Sequence, residues 1–474
     1  MFITNGSKIY KTINLNIKLL VRIFKHTPIL STKKGVRPFM SGEYDVVVVG
    51  SAFAGAVAAK TAAEKGLRVL LLERSTEPGE KIVSGGILTH DAFNEPGLEF
   101  LKDAPLEREL RGVRWIMADE HGEVPLDFTF RSTDDSRVGY TIYCYDFCKW
   151  LTQLAVDAGA QFRNNTTAVD VIKQDGAIKG VVTEHGEKIN SQVVIAADGA
   201  KSLIGIRAGI RRKYPPENIE NCVVLDFTIS ESDIRRLDLA DTFEVYFGTL
   251  TPADIGSYVW IFPYKQSFHL GVGALVSSRK NPTIFLQRFL KSKLWKDRFE
   301  DITKLRAWMW NTVPLWSALD REKRMLEKTH GNGILIAGDA AGFLDSFTCA
   351  GFYGAMVSGM LAGETAAEAI SKGDTTEEGL STYEEKYKNR LIWRLMQRPW
   401  RRDLIAAIGG QKIIQLSSNI SNYIVRRAFD QPKPSDLMFL LTGLLPALRY
   451  IGPFLNRKLP ILFDELMLLT GVTK

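Results

Sequence analysis

The chain has 474 residues, of which 45% are hydrophobic and 24% charged, with 39 glycines and 18 prolines. This composition is typical of a globular protein with two or three domains, and it excludes a disordered, collagenous or polytopic membrane chain. The four cysteines, Cys144, Cys148, Cys222 and Cys349, include no C-x-x-C pair, so we expect neither a disulfide scaffold nor a metal centre.

The net charge of +7 is concentrated in an N-terminal arm. Residues 1–42 contain eight basic residues and no acidic one, so the rest of the chain is nearly neutral and indicates no nucleic-acid partner. The arm has too few consecutive apolar residues to span a bilayer. Three interpretations stay open: a transit peptide, an over-extended start upstream of Met40, and a helix on a membrane surface.

A first motif follows a predicted strand over residues 46–49. The segment Gly50-Ser51-Ala52-Phe53-Ala54-Gly55 leads into a predicted helix, and the next strand ends at Glu73. Backbone N–H groups at such a helix N-terminus bind a pyrophosphate, and the acid is placed to bind a ribose hydroxyl. The unit predicts a dinucleotide site, although Ala52 replaces the second glycine of the usual fingerprint. The residues assigned to it are Gly50, Ala52, Ala54, Gly55, Glu73 and Arg74.

Further along the chain the patterns change between strand and helix. Short alternating segments at 111–130 predict antiparallel strands, and a helix at 147–158 precedes strands that end near residue 197. Aromatic and β-branched runs between about 213 and 321 predict an antiparallel sheet large enough to wall a cavity. A buried strand and a helix rich in alanine and glycine follow, to about residue 370. The pattern of the last hundred residues predicts helices.

Two more motifs come directly after buried apolar strands, Asp198-Gly199 and Gly338-Asp339. An acid at such a strand end can accept hydrogen bonds from ligand hydroxyls without deep burial as an unpaired charge. With the first motif, this ordered trio resembles the FAD-binding domain of the p-hydroxybenzoate-hydroxylase type. The resemblance implies an FAD cofactor, with Glu73 at the adenosine ribose, Asp339 at the ribityl chain, and Asp198 with Gly199 near the pyrophosphate.

An aromatic pattern suggests the substrate. Tyr258, Trp260 and Phe262 share one face of a predicted strand that ends at Pro263, and Gly271 and Gly273 leave room for something flat or bulky. Together with Ser84-Gly85-Gly86, this pattern resembles the geranylgeranyl reductase family over about residues 44–372. The resemblance implies that these aromatic and glycine residues bind substrate: Tyr258, Trp260, Phe262, Pro263, Gly271 and Gly273. It implies further cofactor contacts at Ser84, Gly85, Gly86, Cys144, Ala168, Gly338, Gly351 and Phe352.

The chain departs from that family pattern at several positions. Ser84 replaces a frequent cysteine, and Cys144 replaces an arginine, so a thiol that cannot provide a forked cation stands near the helix start. The segment Phe347–Gly351 is less rich in glycine than the family's loop. The resemblance places Cys349 beside the isoalloxazine ring, either as a catalytic thiol or as a small buried side chain.

The C-terminal region has its own charge pattern. Residues 386–427 carry ten basic residues against one acidic residue, interleaved with apolar ones, and the apolar run at 437–455 is broken by Pro446 and Arg449. This pattern suits either an anionic lipid surface or a solvated face of packed helices. We predict a cytoplasmic protein with peripheral membrane contact, and import into an organelle stays open.

The predicted fold is α/β: a Rossmann-like, glutathione-reductase-like FAD-binding domain, an antiparallel-sheet substrate domain and a C-terminal helical region. The expected divisions are 1–42, 43–212 with inserted strands at about 111–131, 213–325, 326–372 and 373–474. The resemblance implies reduction of carbon–carbon double bonds in geranylgeranyl chains, with a ferredoxin or NAD(P)H as electron donor. Two alternatives stay open, an electron-transfer flavoprotein dehydrogenase that reduces quinone and a flavin monooxygenase or halogenase.

Overall fold

The computed structural model describes residues 43–118, 124, 126–132, 137–248, 258–314, 328–345 and 348–396. The N-terminal arm, the chain beyond residue 396 and Phe347 lie outside these residues. The predictions made for the arm and for most of the basic C-terminal region therefore concern parts of the chain outside the described residues.

The described residues begin with a β-α-β unit and continue into long antiparallel runs. The strands are β1 (Glu43–Val49), β2 (Val69–Leu72), β3 (Ile87–Thr89), β4 (Glu109–Leu110), β5 (Gly112–Ala118), β6 (Leu126–Arg131), β7 (Gly139–Thr141), β8 (Gln161–Arg163), β9 (Ala168–Gln174), β10 (Ala177–Thr183), β11 (Lys188–Ala196), β12 (Ile219–Thr228), β13 (Thr242–Gly248), β14 (Val259–Pro263), β15 (Ser267–Leu275), β16 (Lys304–Pro314), β17 (His330–Gly331) and β18 (Ile334–Ile336). The helices are α1 (Phe53–Glu64), α2 (Cys144–Asp157), α3 (Leu203–Ala208), α4 (Glu231–Arg236), α5 (Pro282–Lys291), α6 (Lys293–Arg298), α7 (Phe352–Lys372), α8 (Glu377–Leu380), α9 (Thr382–Lys388) and α10 (Leu391–Met396).

The first sheet contains the β-α-β unit. Its strands follow the order β17-β18-β11-β1-β2-β8, and the five from β18 to β8 pair in parallel. The central strands are unbroken buried apolar runs such as Val46–Val49, because parallel sheets are usually covered on both faces. Since parallel strands end at the same edge, the motifs after β1, β11 and β18 meet there.

Helices α1 and α7 pack closely against each other beside this sheet. A Cβ on Gly359 would overlap a carbonyl oxygen of α1, and one on Gly363 would lie 2.6 Å from another. These glycines therefore allow the two backbones to approach. The first residues of the two helices, Phe53 and Phe352, stack with ring centroids 4.1 Å apart. The packing brings two helix N-termini to the sheet edge where the motifs meet.

The second sheet has the order β16-β12-β15-β14-β13-β5-β6, and its neighbours pair antiparallel except for the parallel pair β13 and β5. Strands β5 and β6, predicted as an insertion in the first domain, thus extend this second sheet, and Thr242 pairs with Gly112. The sequence pattern indicated the strands but not their partners, because pairing between distant segments leaves no local periodicity.

The two faces of the second sheet carry different side chains. Val259 and Ile261 of β14 belong to an apolar core that includes Phe285 and Phe289 of α5. The alternate residues Trp260 and Phe262 lie on the other face, as the period of two requires. That face packs with these residues: Val83, Cys222 and Val224.

Strands β9 and β10 pair antiparallel and belong to the first sheet, where β10 pairs with β11. A third, small antiparallel sheet has the order β3-β7-β4. Its antiparallel pairing holds the segment that follows Gly86, since Ile87 pairs with Thr141 just before α2. Within the described ranges, no helix combines the length and the apolar character needed to cross a bilayer.

Candidate active site

The three predicted nucleotide motifs lie against one another at the edge of the first sheet. Gly50 has a φ of +99°, and a Cβ there would overlap the carbonyl oxygen of Ala197, which precedes Asp198. A Cβ on Gly338, which has a φ of +64°, would lie 2.8 Å from the side chain of Ala54. Only glycine combines this backbone conformation with this close approach. The first motif therefore touches both the second and the third.

Glu73 fastens the glycine turn to the end of β2. Its Oε2 accepts hydrogen bonds from the backbone N–H of Ser51 (3.0 Å) and from the Ser51 hydroxyl (2.9 Å). Its Oε1 accepts one from the backbone N–H of Ser75 (2.9 Å), and the residue is only 8% exposed. A carboxylate held by three donors keeps a defined direction, which suits the role expected at a ribose.

Asp339, in the third motif, lies next to the start of α7. A Cβ on Gly351, the residue before this helix, would be 3.3 Å from the Asp339 carboxylate. The hydroxyl of Tyr214 donates a hydrogen bond to the main-chain oxygen of Asp339 (2.9 Å). Burial raises the pKa of the Asp339 carboxyl to about 6. A half-buried carboxyl with a raised pKa, next to the N-terminus of α7, is suited to bind a ligand hydroxyl.

Asp198 caps helix α3 through one carboxylate oxygen. Its Oδ2 accepts from the backbone N–H of Ile204 (2.9 Å), whereas Oδ1 is buried and has no hydrogen-bond partner among the described residues. Burial raises the pKa of this carboxyl to about 6, partly offset by backbone donors and by the charge of Arg211. Gly199, with a φ of +74°, faces open space. Open space beside an unsatisfied buried oxygen fits the edge of a dinucleotide.

The raised pKa of Asp339 predicts a pH dependence for the apoprotein. The folded pKa of about 6 exceeds the ordinary value of 3.8, so the stabilising contribution is complete at low pH and is lost as pH rises through 6. We expect Asp339→Asn apoprotein to lack this loss, which is worth about 2 kcal/mol between pH 4 and pH 8. Urea unfolding at several pH values measures it, and Asp175→Asn at an exposed turn is the control. Equal pH slopes for wild type and Asp339→Asn would contradict the prediction.

The loop Ser84–Gly86 lies against the second sheet. A Cβ on Gly85 would overlap the ring of Phe262 and lie 2.8 Å from Nε1 of Trp260. The Gly85 carbonyl accepts a hydrogen bond from the hydroxyl of Tyr264 (2.6 Å), and the N–H of Gly86 donates to Oγ of Ser84 (3.0 Å). The loop expected at the cofactor and the aromatic face expected at the substrate are therefore in direct contact.

His269 completes this contact from β15. Its Nδ1 is 3.0 Å from the hydroxyl of Tyr264, and the residue is 4% exposed. Burial lowers the pKa of the His269 imidazole to about 3. The carbonyl groups of Ser84 and Gly85 favour the charged form, but their effect is smaller than that of burial. The imidazole is neutral near pH 7, so the structure supports a positioning role for it rather than proton donation.

The aromatic face is built around glycines. Tyr258 and Trp260 contact each other edge to face with centroids 5.7 Å apart, and Trp260 and Phe262 are 6.0 Å apart. The ring of Trp260 lies over Gly271, where a Cβ would be 2.6 Å from its Nε1. The flat group for which Gly271 leaves room is thus Trp260 itself. Gly273 makes room for the carboxylate of Glu220, and Pro263 ends β14.

The side chains at the centre of this face are buried, and those around them are more exposed. Trp260 is 8% and Phe262 9% exposed, while these apolar residues around them are half-buried: Tyr258, Phe243, Met309 and Val313. An open groove of about 590 Å³ on the same domain is lined by polar residues such as Glu231 and Lys304. Its polar lining does not suit a prenyl chain.

Cys144 and Cys148 lie at the start of α2, one turn apart. Burial raises the pKa of the Cys144 thiol to about 12 and that of Cys148 well above its ordinary value. Both thiols are neutral, so neither supplies the charge that an arginine at position 144 would bring. A Cβ on Gly79 would be 2.9 Å from Cβ of Cys148, which indicates tight packing.

The remaining residues predicted for the site differ in burial and in the elements that carry them. Ala168 is buried at the start of β9, and Arg74 is exposed beside Glu73. Cys349 is half-buried two residues before Gly351, with a φ of +59°, a conformation that is uncommon for cysteine. Ala52 caps α1 and Gly55 lies in its first turn.

Several residues at this centre were not predicted from the sequence: Phe53, Arg211, Tyr214, Tyr264 and His269. Phe53 lies inside the first motif, but its stacking on Phe352 depends on how α1 and α7 pack. Tyr264 follows the aromatic strand directly, and His269 lies two residues before Gly271. Because alternate residues of a strand share a face, these positions could have predicted that both side chains lie near the site. For Arg211 and Tyr214 the sequence contained no comparable signal.

Comparisons with known proteins agree with this geometry. A family model described as an FAD binding domain matches residues 43–398. The digeranylgeranylglycerophospholipid reductase of Methanocaldococcus jannaschii is 32% identical over 79% of this chain and 90% of its own length. The protein of the same name from Methanosarcina mazei is 32% identical over 74% of this chain and 82% of its own.

Solved structures show the same fold. A geranylgeranyl bacteriochlorophyll reductase-like protein from Thermoplasma acidophilum superimposes with a TM-score of 0.66 and 24% identity, covering 87% of this chain and 99% of its own. A flavin-dependent brominase gives a TM-score of 0.57 and 20% identity, covering 79% of this chain and 93% of its own. At these identities the likenesses speak for the fold alone.

Proposed function

Because the chain belongs to the FAD binding domain family and to the family of the digeranylgeranylglycerophospholipid reductases, we propose that it reduces carbon–carbon double bonds of geranylgeranyl chains in membrane lipids or their precursors. The membership confirms the predicted resemblance, the predicted fold class and the FAD cofactor. The observation that carries the proposal is the contact of Gly85, on the cofactor side, with Trp260 and Phe262 on the apolar face.

The residues at the sheet edge fit FAD. The glycine turn and the two helix N-termini offer backbone donors, and Glu73 and Asp339 offer carboxylates on either side of them. When bound and reduced, FAD supplies the hydride that adds to one alkene carbon. The individual cofactor contacts predicted from the sequence, with the division into domains, are parts of this proposal.

The protein's own residues would orient the prenyl chain and exclude water. Trp260 and Phe262 present flat apolar surface, which holds an alkene without polar competition. Tyr264 would hold the loop of Gly85 in one position through its hydrogen bond to the Gly85 carbonyl, and His269 would orient the Tyr264 hydroxyl. Cys349, half-buried near Gly351, is the thiol we propose to lie close to the reacting carbons.

Two further parts of the proposal concern partners. The sequence contains no second β-α-β glycine unit that would hold a nicotinamide cofactor. Electrons would therefore come from a ferredoxin or from NAD(P)H that docks transiently. Peripheral membrane contact through the basic residues of 386–427 would bring a lipid substrate within reach.

The test is anaerobic turnover of a digeranylgeranylglycerophospholipid with dithionite, followed by mass spectrometry. The proposal expects products heavier by one dihydrogen for each saturated bond. Lipid of unchanged mass together with quinone reduction would favour the dehydrogenase alternative. Oxygenated or halogenated product formed in air would favour a monooxygenase or halogenase.

Gly271→Ala provides a sharper version of this test. The new Cβ would push the ring of Trp260 away from β15, and a displacement of this size costs about 100-fold in turnover. FAD content is expected to fall far less than turnover, because the displaced ring contacts the cofactor side at Gly85 whereas the glycine turn and Asp339 are unchanged. Trp260→Leu removes the atoms that the Cβ would meet, so the double variant is expected to be more active than Gly271→Ala alone. Full activity in Gly271→Ala would contradict the assignment of this face.

A further inference from the structure

Arg211 holds a buried guanidinium without a hydrogen-bonding partner on one side. The residue is 6% exposed, and its Nε and Nη2 are both buried and unbonded among the described residues. These two nitrogens form the side of the guanidinium that binds an anion through two parallel hydrogen bonds. The guanidinium stacks on the ring of Tyr214, 3.8 Å from its carbon to the ring centroid, and its charge also acts on the carboxyl of Asp198. A buried cation in this state is unfavourable unless an anion completes it.

The position of Arg211 relates it to the second and third nucleotide motifs. The hydroxyl of Tyr214, on which Arg211 stacks, donates to the main-chain oxygen of Asp339. On the other side, a Cβ on Gly205 of α3 would lie 3.2 Å from Cβ of Arg211, and α3 is capped by Asp198. Arg211 therefore lies behind the sheet edge where the motifs meet.

Two more buried polar atoms without partners lie in the same segment. They are Oδ1 of Asp198 and Oγ of Ser202, which is 0% exposed. Asp198 follows Ala197, whose carbonyl oxygen lies against Gly50 of the glycine turn. Buried polar atoms are almost always hydrogen-bonded in native proteins. The unbonded oxygens of Asp198 and Ser202 therefore indicate a position where a polar ligand binds.

We propose that Arg211 binds the pyrophosphate of FAD through Nε and Nη2. A pyrophosphate is expected at the glycine turn, one strand away from Asp198, and its oxygens match the forked donors of arginine. Arg211 thus supplies from the α3 side the forked cation that Cys144 cannot. The inference rests on the FAD site of the proposed function and is independent of which alkene is reduced.

The test uses Arg211→Met, which keeps the length of the side chain and removes the charge. FAD affinity of the apoprotein, followed by quenching of flavin fluorescence, is expected to fall by between about 10-fold and 100-fold. The melting temperature of the apoprotein is expected to be equal to or above that of wild type, because a buried cation with two unbonded nitrogens has been removed. Lys213→Met, an exposed cation two residues away, is the matched control and is expected to change neither quantity.

Inorganic pyrophosphate supplies a second measurement. It is expected to raise the melting temperature of wild-type and Lys213→Met apoprotein but not that of Arg211→Met. FAD affinity within twofold of wild type in Arg211→Met, or an apoprotein that is less stable or does not fold, would overturn the proposal. A lack of FAD binding in wild type and in the control would instead contradict the FAD site itself.

Discussion

Gly55→Ala is expected to yield a protein that purifies without flavin. A Cβ at this position would overlap the carbonyl oxygen of Gly50, so the first turn of α1 and the glycine turn cannot keep their present contact. The backbone donors of that helix N-terminus would then no longer converge on one phosphate group. Losing two hydrogen bonds to a charged group, each worth about 1.5–3 kcal/mol, weakens FAD binding by at least about 100-fold.

Flavin absorbance per protein after purification, and FAD titration of the apoprotein, measure this effect. Gly66→Ala is the matched control: Gly66 follows the same helix with a φ of +84°, but no atom lies within 4 Å of its Cβ position. It should cost some stability through its backbone conformation and keep its flavin. Gly55→Ala protein with a full complement of FAD would show that the glycine turn does not hold the cofactor.

Arg298→Met is expected to destabilise the protein by about 3 kcal/mol, because the buried carboxylate of Glu244 loses two charged hydrogen bonds and keeps Arg114, at 3.1 Å, as its cationic partner. Glu244 on β13 has a side chain only 1% exposed, and Arg298 of α6 donates to both of its oxygens, at 2.6 and 3.1 Å. Arg298 also donates to the hydroxyl of Tyr246 (2.7 Å). Burial opposes the charge of Arg298, but Tyr246 and Glu244 outweigh it and raise its pKa.

The network fastens α6 to the second sheet from the face opposite Trp260, so flavin content should not change while the protein remains folded. Urea unfolding measures the loss of stability. Arg131→Met is the matched control, since Arg131 is 40% exposed and pairs with the exposed Asp238 and the half-buried Asp241, and it should cost no more than about 1 kcal/mol. The double variant Arg298→Met with Glu244→Leu is expected to recover part of the loss, because the buried carboxylate that has lost Arg298 is removed as well. Equal stability of Arg298→Met and Arg131→Met would contradict the prediction.

The nucleotide half of the molecule was readable from the sequence because its signals are local. Gly50 and Gly55 follow an apolar strand at fixed spacing, and Asp198 and Asp339 each follow a buried strand within a few residues. A glycine with positive φ, a β-branched buried run and an acid at a strand end each reflect a constraint within one short segment. These constraints predicted a dinucleotide site; the family resemblance of the three motifs implied the fold class and FAD, and both were confirmed.

The tertiary structure decided which segments meet. Strands β5 and β6 were expected in the first domain, yet they extend the second sheet, because backbone pairing at a sheet edge does not depend on chain distance. Gly271 was expected to leave room for another group, and that group is the ring of Trp260, one strand away.

The unpaired side of Arg211 shows the same limit. Its burial depends on α3, on Tyr214 and on the strand ends, none of which leaves a periodic trace around position 211. The sequence by itself determined the strands, the turns and a dinucleotide site, since their physical causes are local, and its resemblance to a family identified the cofactor as FAD. Contacts between remote segments, and with them the polar atoms that a ligand must satisfy, arise only when the chain is folded, because burial and desolvation are properties of the packed molecule.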